Sequence, residues 1–102
     1  MLIVLTTTAN EREAEDLAEK LVAEKLAACV QILPKMKSFY FWDDAIQKES
    51  EYLLLIKTLP EKFDRLKKFI QANHSYETPE IVALKAEDVS ESYLDWIKNY
   101  LK

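Results

Sequence analysis

The sequence predicts an α+β fold in which helices pack on one face of a four-stranded sheet. Two observations support this prediction. Short apolar runs rich in β-branched residues alternate with longer segments whose apolar residues follow helical spacing. Their order is strand, helix, strand, strand, helix, strand, and a further helix ends the chain. This is a ferredoxin-like βαββαβ sandwich with an extra C-terminal helix, and a chain of 102 residues is expected to form one domain over residues 1–102.

The first strand and the first helix are predicted from an apolar run and a capping pattern. Residues 2–5 are Leu-Ile-Val-Leu, and three threonines follow them. Asn10 is expected to be the helix N-cap, and Glu13 at the third helical position is expected to complete a capping box. Apolar residues at helical spacing then extend the helix to about residues 26–28.

The next two strands are predicted to be joined by a tight turn. Residues 29–42 are expected to form one long strand that is interrupted near Pro34, because proline has no N–H to donate to a sheet ladder. Asp43 and Asp44 are expected to make the turn. Residues 51–58 are then predicted to return as the third strand.

The second half of the chain supplies the remaining helices and strand. Pro60 suits the first turn of a helix over residues 60–72, with Leu66 among its inward positions. The fourth predicted strand is residues 81–84, Ile-Val-Ala-Leu. Ser90 is expected to cap the final helix. The apolar positions of that helix are Tyr93, Trp96, Ile97, Tyr100 and Leu101.

The predicted strands are apolar at consecutive positions, so both faces of the sheet are expected to leave water. A sheet with one wet face normally alternates apolar and polar residues, whereas residues 39–42 and 52–56 contain only apolar and aromatic side chains. Two helices can cover only one face. Either the final helix folds under the sheet, or identical sheets of neighbouring chains pack there, because a monomer does not tolerate so large an exposed patch.

Charge and hydropathy exclude two classes of partner. The 18 acidic and 14 basic residues give a formal net charge of −4 and a pI near 5.0. No nucleic-acid partner is expected, because phosphate neutralisation requires a concentrated basic face. No membrane span is expected either, since no apolar run approaches the roughly 20 residues required. A single cysteine and an amino terminus without a signal-like segment predict a cytoplasmic protein.

Glycine is absent from the chain, although average usage of about 7% predicts roughly seven. Phosphate-binding loops and dinucleotide folds depend on glycines that let the backbone approach the ligand, so both are excluded. Fewer glycines also reduce the conformational entropy of the unfolded chain, which stabilises the folded protein by about 0.4–1 kcal/mol per compatible site. The composition therefore predicts a thermostable protein, and a thermophilic source and an engineered variant both fit it.

The segment from His74 to Glu80 contains the candidate functional residues. His74 is the only histidine and lies just past a predicted helix, where it is either a metal ligand or a partner of free carbonyls. Glu77 and Glu80 flank a Thr-Pro corner and are assigned to a ligand site; their carboxylates are expected to form a hard metal site, to accept from backbone amides or to pair with a lysine of a neighbouring chain. Tyr76 is assigned to the same ligand site, with packing against a neighbouring subunit as the alternative.

No catalytic residue is predicted, and the chain is not expected to be an enzyme. No serine or cysteine belongs to a recognisable nucleophile–base motif, and histidine is not repeated. Cys29 opens an apolar strand and is expected to be a small buried hydrophobe, and Met36 is expected to fill space. The aromatic run over residues 39–42 ends in two aspartates, so burial at a subunit interface is expected instead of base stacking.

Three segments together resemble the CutA divalent-cation tolerance family. They are the segment at residues 74–80, the aromatic segment at 39–46 and Lys-Leu-Ala-Ala-Cys at 25–29, and the resemblance extends over essentially the whole chain. It implies a homotrimer of the PII-like type with sheets packed around a three-fold axis. It also implies a role in the response to metal ions, with an ion or small ligand held between subunits near Tyr76, Glu77 and Glu80.

The same resemblance implies copper or another divalent cation at His74, with no cofactor required. Copper ligation in the family is assigned to a cysteine late in the first strand and two adjacent histidines; those positions are Thr6, Asn73 and His74 here, so only His74 matches. The chain also has Asp44 where relatives usually carry glycine and Ser75 where they usually carry proline. The alternative is a trimeric PII-like signalling or scaffold protein that binds an unidentified small ligand or partner without a specific metal site.

Overall fold

The computed structural model of the protein describes residues 1–102. A short 3-10 turn, Pro60–Lys62, leads into the second helix. In chain order, the elements are β1 (Leu2–Thr8), α1 (Glu11–Ala23), β2 (Cys29–Ile32), β3 (Met36–Trp42), β4 (Ala45–Thr58), α2 (Phe63–Asn73), β5 (Val82–Lys85) and α3 (Glu91–Tyr100).

The strands form one antiparallel sheet in the order β2-β4-β1-β5, which confirms the predicted ferredoxin-like topology. The second predicted strand is divided into β2 and β3 around Pro34, as its proline indicated. β3 lies outside this order and pairs only with the first part of β4, from Met36↔Glu51 to Trp42↔Ala45. We call β3 and residues 45–51 the hairpin.

The predicted third strand began too late. β4 starts at Ala45, six residues before the predicted start at residue 51, and continues to Thr58. The missed residues are mostly polar and exposed, because here β4 is paired through its backbone to β3 and buries little. Hydropathy therefore gives no strand signal over this part of β4.

Helix α1 ends at Ala23, earlier than predicted, and closes with a Schellman motif. The Leu26 N–H donates to the Leu21 carbonyl at 3.0 Å, and the Lys25 N–H donates to the Val22 carbonyl at 3.1 Å. The motif needs a left-handed residue, and Lys25 takes that place with φ of 56°. Glycine usually occupies this position and marks the end of a helix in the sequence. This chain has lysine there, so the sequence contains no sign that the helix ends at Ala23.

One half of the predicted capping box at α1 is confirmed and the other half is wrong. Asn10 Oδ1 accepts from the Glu13 N–H at 2.8 Å, as expected of an N-cap. The Glu13 carboxylate, however, accepts from the backbone N–H and the hydroxyl of Ser75, both at 2.9 Å. At α3, Ser90 is the N-cap residue, but its side chain makes no capping hydrogen bond.

The main core lies between the sheet and helices α1 and α2. Its fully buried members include Val4, Leu21, Leu54, Leu66 and Ile70. Helix α3 packs elsewhere, because Ile97 and Leu101 join a second cluster with Ala28 and Leu59. Neither cluster includes a residue of the hairpin, so α3 does not cover its aromatic side chains. None of the helices has the length and apolar content that crossing a membrane requires.

Candidate ligand-binding site

The imidazole of His74 is enclosed and holds its segment against the end of β1. Its side chain has no exposed surface. Nε2 lies 2.7 Å from the Thr7 carbonyl, which can only accept, so Nε2 carries the proton and donates. Nδ1 then accepts from the Tyr76 N–H at 3.0 Å. Both ring nitrogens of the neutral side chain are therefore used within the chain.

The residues of one chain do not fit a copper site at His74. A metal needs a free lone pair on a ring nitrogen, and Tyr76 N–H already occupies the one on Nδ1. The hydroxyl of Thr6 is buried without a hydrogen-bond partner, and the amide of Asn73 donates to the Phe69 carbonyl at 2.8 Å. No group of three His, Cys, Asp or Glu side chains is arranged to hold a metal ion. Metal ligation by His74 stays a prediction.

Glu13 fastens the segment to helix α1, a role that the sequence did not reveal. Its two carboxylate oxygens accept from Ser75, and its Oε2 lies 3.7 Å from His74 Nδ1. These contacts join residues 62 positions apart. Ser75 therefore has a specific partner in Glu13, and the segment is held to α1 by hydrogen bonds.

Tyr76 and Glu51 form the central polar contact of the site. Tyr76 Oη donates to Glu51 Oε2 at 2.8 Å. Burial raises the pKa of Tyr76 above its usual value, and the hydrogen bond to Glu51 and the charge of Glu51 raise that pKa further. The phenol is therefore protonated at neutral pH and acts as a donor. Glu51 is only 7% exposed, although it carries a carboxylate.

A cavity of about 680 Å³ lies between the hairpin and the segment that follows α2. The three predicted ligand residues, Tyr76, Glu77 and Glu80, all line it, and they are joined by Glu51. The remaining wall contains three aromatic residues of β3, which are Phe39, Tyr40 and Trp42. The structure thus brings together two segments that the sequence singled out separately.

The predicted metal ligand is not part of this cavity. His74 borders a different cavity of about 620 Å³ on the side of α1, together with Glu13, Asn73 and Ser75. Its ring contacts Tyr76, with centroids 4.8 Å apart. His74 therefore supports the cavity through Tyr76 and does not line it. Glu51 was missed as a site residue because its partner lies 25 residues away in the chain.

The fold is that of a small ferredoxin-like protein, and its candidate site is a cavity between an aromatic hairpin and the segment before its last strand. The chain belongs to the CutA1 divalent ion tolerance protein family, whose model matches residues 2–100. This confirms the family that the three segments indicated. The match extends from β1 to the end of α3 and includes the hairpin.

Individual relatives agree with this assignment. The divalent-cation tolerance protein CutA of Thermus thermophilus is 43% identical over 96 residues, which are 94% of this chain and 93% of that protein. The chloroplastic protein CutA of Arabidopsis thaliana is 42% identical over 98 residues, or 96% of this chain. The chain spans about half the length of the plant relatives, 54% for Arabidopsis and 55% for rice.

A solved structure supports the fold independently. The structure of the periplasmic divalent cation tolerance protein CutA from Archaeoglobus fulgidus superposes with a TM-score of 0.96 at 37% sequence identity. The superposition covers 100% of both chains. The α+β fold with its hairpin is therefore the fold of the family.

Proposed function

We propose that this protein is a homotrimeric divalent-cation tolerance protein that binds an ion or a small ligand in clefts between its subunits. Membership of the CutA1 family supports the tolerance role. The proposed assembly rests on one observation, which is that the apolar side chains of the hairpin are exposed in the single chain. The observation that carries the binding site is the cavity beside the hairpin, which the expected ligand residues Tyr76, Glu77 and Glu80 line.

The hairpin supports association because its apolar side chains have no cover in the single chain. Phe41 is 70% exposed and its cross-strand partner Ile46 is 76% exposed. Phe39, Tyr40 and Trp42 are exposed as well, although successive residues of a strand point to opposite faces. Both faces of the hairpin therefore favour burial against another chain. The number three comes from the family resemblance.

The proposed position of the ligand follows from that assembly. Because the cavity is bounded by the hairpin, packing of the hairpin against another chain would place the cavity at a subunit boundary. Glu77 and Glu80 are exposed in the single chain and are available to a ligand there. A copper ion at His74 would have to displace the Tyr76 N–H from Nδ1, and it would need further ligands from a neighbouring chain because no three ligand-type side chains converge within this one.

We propose binding without turnover, because the polar groups of the segment at residues 74–80 are engaged in holding it against the rest of the fold. The Ser75 hydroxyl donates to Glu13, which also accepts from the Ser75 backbone, and His74 Nδ1 accepts from Tyr76. Both carboxylate oxygens of Glu13 are thus engaged in holding the segment against α1, and we propose that this contact is structural. The free thiol of Cys29 supports a reducing compartment, and we propose the cytoplasm. Fractionation of cells that express the protein tests that placement.

A second candidate function is a PII-like signalling or scaffold trimer without a specific metal site. One observation favours it, because no three ligand-type side chains converge within the chain. This candidate keeps the assembly and replaces the metal ion with another ligand or a protein partner. It predicts that copper binds no more tightly to the assembled protein than to a variant altered at His74.

Native mass spectrometry with limiting copper(II) tests the proposal. We expect a mass three times the 11.9 kDa of one chain. Stoichiometric copper uptake that is lost in His74→Ala and retained in Asn73→Ala would support a metal site at His74. Equal uptake by both variants would favour the second candidate. A single-chain mass would contradict the proposed assembly.

A further inference from the structure

The cavity beside Tyr76 has the chemistry of a site for an organic ammonium ion. We propose that it binds a small alkylammonium or quaternary ammonium cation, with Glu51 as counter-ion and with Trp42 and Tyr40 as aromatic walls. This inference deepens the proposed function, on which it rests, because it names the class of ligand held in the same cleft. It assigns a role to Glu51 and to the aromatic run that the family match does not supply.

The charge of the cavity favours a cation. Glu51, Glu77 and Glu80 line it, and no lysine, arginine or histidine does. Glu51 is the decisive member, because it is 93% buried and yet forms no ion pair. Its one side-chain hydrogen bond, from Tyr76, uses Oε2 and leaves Oε1 without a side-chain donor. Oε1 therefore has no competing cation within the chain, and a cation that enters the cavity can form a charge-assisted hydrogen bond with it.

The aromatic wall favours an organic cation. A positively charged group within about 6 Å of a Trp or Tyr ring is attracted to the ring face, and the attraction grows when water is excluded. Lys48 Nζ already lies 5.6 Å from the ring centroid of Phe39. Trp42 and Tyr40 line the cavity and have no such cation from the chain itself. They are therefore the rings available to an incoming ammonium group.

The size of the cavity argues against a bare metal ion as its occupant. Hard divalent ions need several oxygen ligands that converge at about 2.0–2.6 Å. The three glutamates line one cavity but do not converge into such a group. A volume of about 680 Å³ lies in the range of small-molecule sites, about 300–1,000 Å³. An organic cation can contact Glu51 and an aromatic ring at the same time.

Isothermal titration calorimetry with matched ligands tests the proposal on the full-length protein. The probes are choline and 1,4-diaminobutane, with 3,3-dimethylbutan-1-ol as the neutral analogue of choline and Mg²⁺ as the inorganic dication. We expect saturable binding of at least one ammonium probe. If that probe is choline, we expect its neutral analogue to bind at least about tenfold more weakly, which corresponds to about 1.4 kcal/mol.

Matched variants locate the site. Glu51→Gln keeps an acceptor for Tyr76 but removes the charge, and Trp42→Leu removes one ring; each should weaken ammonium binding by about tenfold. Glu19→Gln and Trp96→Leu change the same residue types outside the cavity and should leave the Kd within about twofold. The native mass of every variant is measured in parallel, so a loss of assembly is distinguished from a loss of the site.

Several results would overturn the inference. They are the absence of saturable ammonium binding, equal affinity for choline and its neutral analogue, or an affinity unchanged by Glu51→Gln. Saturable binding of Mg²⁺ alone would overturn it too. A trimer that binds no ammonium ion refutes the inference and leaves the proposed assembly intact. A single chain that binds ammonium through Glu51 refutes the assembly and leaves the inference intact.

Discussion

The sandwich body, by which we mean the chain outside the hairpin, and the hairpin are both rich in apolar residues. They differ in how far their apolar side chains are buried. In the body, Leu21, Leu54 and Ile70 have no exposed surface. In the hairpin, Phe41 and Ile46 are among the most exposed side chains of the molecule. The difference teaches that apolar sequence alone does not identify a core. A core forms where helices cover the strand, and an apolar strand without that cover favours association with another chain.

Strand β4 belongs to both regions, and the change occurs at Glu51. Residues 45–51 pair with β3, whereas Tyr52 to Thr58 pair with β1. Glu51 is the last residue paired to β3 and is already buried, and it accepts the hydrogen bond of Tyr76. The candidate site therefore lies where the self-sufficient part of the fold meets the part that needs a partner.

Truncating a core side chain should have the largest effect on the stability of the body. Leu54→Ala removes a fully buried side chain and is expected to lower the free energy of unfolding by about 2–5 kcal/mol per chain, because it leaves a cavity that neighbouring residues only partly fill. Denaturant unfolding measures the loss. Leu54→Met, which conserves volume, should cost less than about 1.5 kcal/mol. A similar cost for the two variants would show that packing at this position is not limiting.

Charging the hairpin should have the next largest effect and should act on assembly. Phe41→Lys places an ammonium group in the proposed interface, where burial of the phenylalanine against another chain would contribute about 1.5–3 kcal/mol per chain. We expect the native mass to fall toward the 11.9 kDa of one chain. Analytical ultracentrifugation measures it, with Trp96→Lys on α3 as the matched exposed aromatic. If Phe41→Lys keeps the wild-type mass, the hairpin is not the interface.

The body was more predictable from sequence than the hairpin, for physical reasons. Its strands leave continuous apolar runs and its helices leave periodic apolar patterns, and Asn10 signals a helix start locally. The first part of β4 leaves no such pattern, because its pairing with β3 is made by the backbone. The end of α1 was misplaced because Lys25 adopts the left-handed conformation in which glycine is usually found.

The candidate site was predictable in its residues but not in its geometry. Tyr76, Glu77 and Glu80 were identified from one short segment, and they do line one cavity. The orientation of His74 depends on Thr7, which is 67 residues away in the sequence. Glu13 and Glu51 are likewise brought to the segment only by folding. Contacts of this kind have no local signature, so the sequence could not separate His74 from the ligand cavity.

The hydrogen bond from Tyr76 to Glu51, which joins the body to the hairpin, should make the free energy of unfolding fall at alkaline pH. The pKa of Tyr76 is raised in the folded protein by burial and by Glu51, so folding favours the protonated phenol. The sign follows from linkage. The raised pKa of Tyr76 stabilises the folded protein in full at pH values below the pKa of an unfolded tyrosine, near 10, and this stabilisation is lost as the pH rises beyond that value. Thermal unfolding between pH 8 and pH 11 should show this loss.

Tyr76→Phe provides the test of that alkaline effect. The variant lacks the hydroxyl that donates to Glu51, so it should be less stable than the wild type at pH 8. Its stability should then change less between pH 10 and pH 11, because the titrating group is gone. Tyr93→Phe, on α3, should keep the wild-type decline. An unchanged alkaline decline in Tyr76→Phe would remove Tyr76 from this explanation.

The smallest effect is expected at Asp44, at the tip of the hairpin, where the family resemblance implies a glycine in relatives. Asp43 and Asp44 have φ of 55° and 58°, which is the two-residue turn that suits the twist of paired strands. Aspartate tolerates this conformation. Glycine would fit it as well, but it raises the conformational entropy of the unfolded chain, which lowers the stability of the folded protein by about 0.4–1 kcal/mol. Asp44→Gly should therefore change the free energy of unfolding by less than about 1 kcal/mol, measured by denaturant unfolding.

The control at the tip is Asp44→Ala, which keeps a Cβ but lacks the short polar side chain that makes a left-handed residue tolerable. It should destabilise the turn by about 1–2 kcal/mol. Both variants should keep the wild-type mass, because the interface proposed for the hairpin involves its aromatic side chains and not its tip. A change of mass in Asp44→Gly would place the tip within the interface. The proposed interface would then include the turn at residues 43–44 as well as the aromatic side chains of the hairpin.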